Sequence, residues 1–172
     1  QLAATNVGGT REVLKLATLS NPIRLEHISS VSVFEGAAYR NSEILETDDL
    51  NAWEGIHIGY SQTKWVSERL VVQAGKIGLP ISIYRPPLIG GHSKTGYWHE
   101  GDLLQRLLQG CLALGKAPQL AWELDLVPVD YVANAVTALA WSEEAKGNCF
   151  HLQHPRPLML NDLLTQLIAD GA

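Results

Sequence analysis

The stretch YSQTKWVSERLVVQAGKIGLPISIYRP, residues 60–86, decides the fold. Its first part has helical spacing over 60–77, and Gly78 with Pro80 beyond it is a helix stop. ISIYRP at 81–86 reads as a short strand of β-branched and aromatic residues, halted by Pro86 and Pro87. A helix running straight into a strand is half of a βαβ unit, and the alternation continues on both sides. Upstream, residues 2–18 read as a helix with Ala3, Val7, Leu14 and Ala17 near one stripe, although Gly8 and Gly9 weaken its first half. Residues 24–34 (RLEHISSVSVF) read as a strand, and 35–58 as a long polar loop. Downstream lie a Gly-rich loop at 90–98 and an amphipathic helix over 101–114 with Asp102 as its N-cap. ELDLVPV then reads as a strand, and Asp130 as the cap of a helix over 131–142. NCFHLQH is a last strand, and Asn161 a cap for a final helix through Ile168.

This order predicts an α/β fold: a Rossmann-like parallel sheet with helices on both faces, joined by right-handed crossovers. Ligands of such sheets sit beyond the carboxyl ends of the strands. There Ser29, Ser30 and Ser32, the start of the Tyr60 helix, and Arg85 to Gly91 would converge. Of the 172 residues, 46% are apolar and 18% charged; 13 basic against 18 acidic side chains leave a net charge of −5. That balance is globular rather than disordered. With no basic run, it argues against a nucleic-acid partner. No run approaches the ~18 apolar residues of a membrane-spanning helix, and there is no secretory signal. Cys111 and Cys149 form neither a disulfide framework nor a metal-ligand spacing, and are expected to be reduced thiols of a cytoplasmic protein. Cys149 with His151 would supply only two of the four ligands that a zinc site takes, so no metal is expected. The chain begins at Gln1 inside a helical pattern and is expected to be a piece of a longer polypeptide.

Tyr60 and Lys64 are four residues apart on the predicted helix and share a face. A phenol with its ordinary pKa of about 10 is a poor acid or base at neutral pH. A nearby ammonium favours the phenolate and would lower that value. A serine hydroxyl from the neighbouring strand could hold the same substrate oxygen, stabilising the oxyanion made by hydride attack on a carbonyl. The Tyr-x-x-x-Lys pair alone favours the plainer reading, a half-buried ring beside a solvated lysine on a surface helix. The serine-bearing strand upstream and the Tyr-Arg-Pro-Pro strand end downstream favour the chemical reading.

Asn6 in a helix, HISSVSV (27–33), GYSQTKWVSERL (59–70), YRPPLIGGHSKTG (84–96) and DLVPVDYVANAV (125–136) resemble the extended short-chain dehydrogenase/reductase superfamily. The branch most similar is the thioester reductase domain that ends nonribosomal peptide and polyketide synthetases, related to carboxylic acid and fatty acyl reductases. The likeness runs over nearly the whole chain. It implies that Ser30, Tyr60 and Lys64 are catalytic, with Tyr60 as proton donor and Lys64 on the nicotinamide ribose. It implies that Asn6 orders a proton-relay water, that Pro86, Pro87, Leu88 and Ile89 line the nicotinamide through backbone groups, and that His92, Ser93 and Trp98 border the substrate channel. Three departures stand out. Serine at 30 replaces the usual threonine, Pro87 replaces the usual glycine and removes an amide donor, and no Gly-x-x-Gly-x-x-Gly loop precedes Asn6. The first strands of the dinucleotide-binding domain are therefore expected to be missing from this chain.

The resemblance implies reduction of an acyl or peptidyl thioester on a carrier protein's phosphopantetheine arm, with NADPH as cofactor, to an aldehyde or alcohol. Residues 1–90 would be the second half of the dinucleotide-binding domain. Residues 91–172 would be the substrate-binding portion, with 122–142 packing back on the first. Two alternatives remain. One is a sugar epimerase or ketone reductase of the same superfamily, against which the Gly-His-Ser-x-Thr-Gly loop argues. The other is a non-catalytic fragment that only lines the substrate channel and docks the carrier. Its exposed sheet edge would make it prone to dimerise.

Overall fold

The computed structural model describes residues 1–169. The chain divides into two compact units, Gln1–Pro87 with Ala135–Leu152, and Leu88–Asn134 with the segment from Gln153 onward. The first is built on a parallel three-stranded sheet in the order β1 (Leu25–Ile28), β2 (Ile81–Arg85), β6 (Cys149–His151). Leu25 pairs with Ile81 and Ile28 with Tyr84; Ile83 pairs with Cys149 and Arg85 with His151. β2, central in the sheet, is buried from Ser82 to Arg85, the near-continuous burial of a parallel strand covered on both faces.

The predicted first helix is two structures. Ala3–Gly8 forms a π-helical turn, and α1 (Gly9–Ala17) follows; the glycine pair marks the junction. Both pack on α2 (Gly59–Lys76), the helix expected over 60–77. α2 ends as its sequence foretells. Ile77 is the last half-helical residue, the Leu79 N–H donates to the Ala74 carbonyl (3.1 Å) and the Gly78 N–H to the Gly75 carbonyl (3.0 Å). This is the double bond of a Schellman stop, with Gly78 at φ +104°. Gly75 serves packing instead: a Cβ there would lie 2.6 Å from Ile81 Cδ1, so its absence lets β2 turn back closely under the helix.

β1 is shorter than the predicted 24–34 strand. It stops at Ile28, and Ser30 then caps a 3-10 turn, Val31–Phe34, by accepting the Ser32 N–H. A serine hydroxyl competes well for nearby backbone amides, so the run breaks there despite its β-branched residues. The turn buries Val33 and Phe34 with Leu50, against Trp65 of α2. The 35–58 segment is a loop, with a 3-10 turn at Ala37–Tyr39; the Tyr39 hydroxyl meets the backbone of Asp49, Asn51 and Ala52.

In the second unit, β3 (Leu88–Gly90) pairs parallel with β5 (Leu126–Pro128), and β4 (Glu123–Leu124) pairs antiparallel with β7 (Leu158–Met159). The sequence suggested one strand for 123–129 and none at 158. α3 (Leu103–Leu114) is capped by Asp102, whose Oδ1 accepts the Gln105 N–H at 3.0 Å, as expected. Leu104 and Leu108 of α3 pack with Leu124, and with Leu160 and Leu164 of α5 (Leu160–Ala169). Asn161 lies inside α5 rather than ahead of it. α4 (Val129–Ala140) begins one residue before Asp130, so Asp130 is not its N-cap. No helix among the described residues is long and apolar enough to cross a membrane.

Two stability predictions follow from these elements. No atom lies within 4 Å of a Cβ built at Gly78, so Gly78→Ala tests backbone conformation alone. It is expected to lower stability by about 1 kcal/mol, read from the urea midpoint at unchanged m-value. His27 on β1 has its pKa pushed down from 6.5 to about 4, first by burial and then by the Lys64 ammonium. The folded chain holds it neutral while the unfolded chain takes up a proton, so stability falls as pH drops from 6.5 towards 4. His27→Gln should flatten that limb, and an unchanged slope would show that His27 does not cause it.

Candidate active site

Ser29 and Ser30 continue from β1, and the Ser29 N–H still donates to the Tyr84 carbonyl at 2.7 Å. Ser30 is extended (φ −161°, ψ 150°) and buried. Its Oγ accepts the Ser32 N–H at 3.2 Å, which leaves the hydroxyl proton free to donate. That hydroxyl lies near the phenol of Tyr60, in the first turn of α2, close enough to pull its pKa down. Tyr60 is 43% exposed, so the pair opens to solvent on one side. One turn further on, the Lys64 ammonium donates to the Ile28 carbonyl at 2.6 Å. Ser30, Tyr60 and Lys64 are thus gathered at the carboxyl end of β1.

The electrostatics differ from the sequence expectation. The Tyr60 pKa is raised rather than lowered: burial is the largest cause, the nearby Ser30 hydroxyl pulls the other way, and the Glu35 carboxylate pushes further up. The Lys64 ammonium is turned to the Ile28 carbonyl, and its own pKa is lowered by burial and partly restored by Glu68. Tyr60 is therefore a phenol at neutral pH, a proton donor rather than a base.

Asn6 lies in the π-helical turn, a feature frequent at functional sites. Its Nδ2 donates to Thr63 Oγ1 at 2.9 Å, and Thr63 donates to the Tyr60 carbonyl at 2.8 Å, so Asn6 braces the first turn of α2. Its own carbonyl accepts the Thr10 hydroxyl at 2.7 Å. Asn6, Thr10, His27, Ile28 and Lys64 line a polar cavity of about 280 Å³. The His27 Nε2 is buried without a partner. Pro86 and Pro87 are buried and carry no N–H; the Pro86 carbonyl accepts the Val31 N–H at 3.1 Å.

The remaining expected residues belong to the second unit. Leu88 and Ile89 are strand residues, paired with Leu126 and Val127, and the Leu88 N–H donates to the Asp125 carbonyl at 3.1 Å. Ser93 donates to Asp130 twice, from its backbone N–H (2.8 Å) and its hydroxyl (2.7 Å), with His92 Nδ1 3.9 Å from the same carboxylate. Asp130 therefore clasps the Gly-rich loop, which a capping pattern could not reveal. Trp98 is half-buried against the leucine core with its indole Nε1 unpartnered, while the adjacent Tyr97 is the exposed ring.

Sequence reasoning singled out neither Glu68 nor the side chain of Arg85. Arg85 Nη2 lies 2.6 Å from Glu68 Oε1 and its Nε 3.1 Å from the same oxygen, with both residues buried. The signal was present: Glu68 is eight residues from Tyr60 and four from Lys64, so it lies on the inward face of α2. A lone arginine ends the otherwise uncharged ISIYR strand.

The residues present fit the nicotinamide end of a dinucleotide site. Lys64 and Tyr60 offer donors at the rim of a strand end, and the unpartnered His27 Nε2 lies beside the polar cavity. Residues 1–136 match the NAD-binding family described as Male sterility protein. The chain is 38% identical over 183 residues to L-2-aminoadipate reductase of Schizosaccharomyces pombe, across 99% of this chain and 13% of that protein. It superposes on the terminal R domain of the myxalamid PKS-NRPS biosynthetic pathway with a TM-score of 0.91 and 40% identity, across 96% of this chain and 42% of that one. For the thiolation-reductase di-domain of an archaeal non-ribosomal peptide synthetase the TM-score is 0.79 and the identity 27%, across 96% of this chain and 37% of that one. The chain thus spans less than half the length of these relatives. With the match over most of its length and the Ser-Tyr-Lys arrangement at a strand end, the chain belongs to the Male sterility protein family of NAD-binding domains.

Proposed function

We propose that this chain is the nicotinamide-end and substrate-side part of an NADPH-dependent reductase acting on an acyl or peptidyl thioester carried on a phosphopantetheine arm. The observation that carries this reading is the gathering of Ser30, Tyr60 and Lys64 at one strand end, with Tyr60 kept protonated. The relatives named above, a thiolation-reductase di-domain among them, support a carrier protein as partner. The sequence has no Gly-x-x-Gly-x-x-Gly turn, so these residues address the nicotinamide and ribose rather than the pyrophosphate.

The cofactor, when bound, supplies the hydride. Lys64 presents its remaining N–H groups to the ribose hydroxyls while its bond to the Ile28 carbonyl holds it in place. Ser30 and Tyr60 donate hydrogen bonds to the thioester oxygen as negative charge gathers on it. Tyr60 then transfers its proton to that oxygen. The resulting hemithioacetal loses its thiol and becomes an aldehyde, so one hydride and one proton give aldehyde and free carrier thiol. A second round on the aldehyde gives the alcohol. His92 and Ser93, held by Asp130, would border the acyl chain's path.

In the complete protein, Tyr60→Phe should lower kcat/KM for a carrier-bound thioester about 10²- to 10⁴-fold, with the thermal midpoint little changed. The raised Tyr60 pKa sets the sign of the pH effect. Rate is full while the phenol is protonated and is lost as pH rises through its titration. Tyr60→Phe should erase that alkaline limb; near-wild-type NADPH consumption in this variant would remove the mechanism.

A further inference from the structure

The Arg85 guanidinium touches three elements of the first unit. It forms a two-pronged bond with the Glu68 carboxylate, on α2 one turn beyond Lys64. Its carbon lies 4.6 Å from the centroid of the Phe34 ring, in the 3-10 turn that Ser30 caps. Its Nη1 lies 3.1 Å from His151 Nε2 on β6. An arginine can only donate, so that His151 nitrogen accepts and the ring is neutral. The backbone N–H of His151 donates to Glu46 Oε1 at 2.7 Å. Arg85 is also followed by Pro86, whose carbonyl accepts the Val31 N–H, next to Ser30. One residue therefore meets the helix bearing Tyr60 and Lys64 and the turn bearing Ser30.

Glu68 is 0% and Arg85 3% exposed. A buried ion pair is weak as a stabiliser, because desolvating two charges offsets their attraction, and apolar residues of similar volume often serve as well. Its geometry is another matter. A planar fork on a carboxylate fixes distance and direction together, which apolar packing does not.

We propose that Arg85, through Glu68 and Phe34, is the positioning residue that holds the Ser30 hydroxyl against Tyr60. This rests on the thioester-reductase reading for its kinetic consequence, but the approach of Ser30 to Tyr60 that it controls can be read without cofactor. The nearby Ser30 hydroxyl lowers the Tyr60 pKa against the effect of burial, so moving it away should shift the Tyr60 titration upward.

The test uses the complete protein with Arg85→Met and Glu68→Met together, a swap that removes both charges and leaves no buried ion unpaired. Tyr60 ionisation is read from ultraviolet tyrosinate absorbance, as the difference from the same protein carrying Tyr60→Phe, without cofactor. The double variant should melt cooperatively near the wild-type midpoint, yet titrate Tyr60 upward by about half a pH unit or more. It should lose about 10-fold or more in kcat with KM for NADPH within about two-fold. Arg85→Lys, which keeps the charge but not the fork, should rescue the melting midpoint of Arg85→Met and not its kcat. Wild-type kcat and Tyr60 titration in the double variant would overturn the inference. Should the double variant fail to fold, Phe34→Leu decides: it leaves the ion pair intact, and an upward Tyr60 shift supports the proposal while an unchanged titration overturns it. A wild-type protein that does not reduce thioesters would refute the functional reading alone, since the cofactor-free titration still judges the positioning.

Discussion

Two opposite charges wholly withdrawn from water, Glu68 on α2 and Arg85 at the end of β2, set the frame on which the site depends. Removing one partner leaves an uncompensated buried ion, a loss of about 3–5 kcal/mol and thus a large share of a small domain's stability. The pair therefore holds α2 to the sheet at one rotation about the helix axis. That rotation places Tyr60 and Lys64, eight and four residues earlier, over the end of β1. Lys64 completes the arrangement by donating to the Ile28 carbonyl, and the Pro86 carbonyl closes the other side on Val31. The polar groups of the site are thus held by backbone carbonyls and a buried ion pair, with Asn6 bracing the first turn of α2 through Thr63.

This frame accounts for the direction of the Tyr60 shift. The Lys64 ammonium bonds the Ile28 carbonyl rather than the phenol, and burial, reinforced by the Glu35 carboxylate, prevails. A phenol held protonated suits the reducing direction, in which the oxygen of the substrate must gain a proton. The Ser30 hydroxyl accepts the Ser32 amide on one lone pair and keeps its proton to donate. In the proposed reaction both hydroxyls donate to the substrate oxygen on which charge develops.

Much of this was legible in the chain itself. α2 and its Gly78 stop, the Asp102 cap and the parallel strands at 25–28, 81–85 and 149–151 follow from local patterns, because each rests on nearby bonds or on burial periodicity. The failures share a different cause. The 24–34 run is β-rich yet breaks at Ser30, because the hydroxyl caps a turn and Phe34 is needed under α2. Asp130 looks like a cap but bonds a loop 37 residues away, a partner that no local pattern encodes. The same holds for Glu68 and Arg85, 17 residues apart, each an isolated charge in a buried face. The Tyr60–Lys64 spacing was right about proximity and wrong about electrostatics, since spacing says nothing of which carbonyl the ammonium finds.

The proposed reaction delivers a hydride to a thioester carbon held by Ser30 and Tyr60. It is tested most directly by giving the complete protein a carrier-bound acyl thioester with NADPH deuterated at the transferring position, then analysing the released product by mass spectrometry. Deuterium is expected on the former thioester carbon, in aldehyde or alcohol, with one carrier thiol freed per chain released. Release of the free acid without deuterium, or an intact thioester with the cofactor unconsumed, would contradict it.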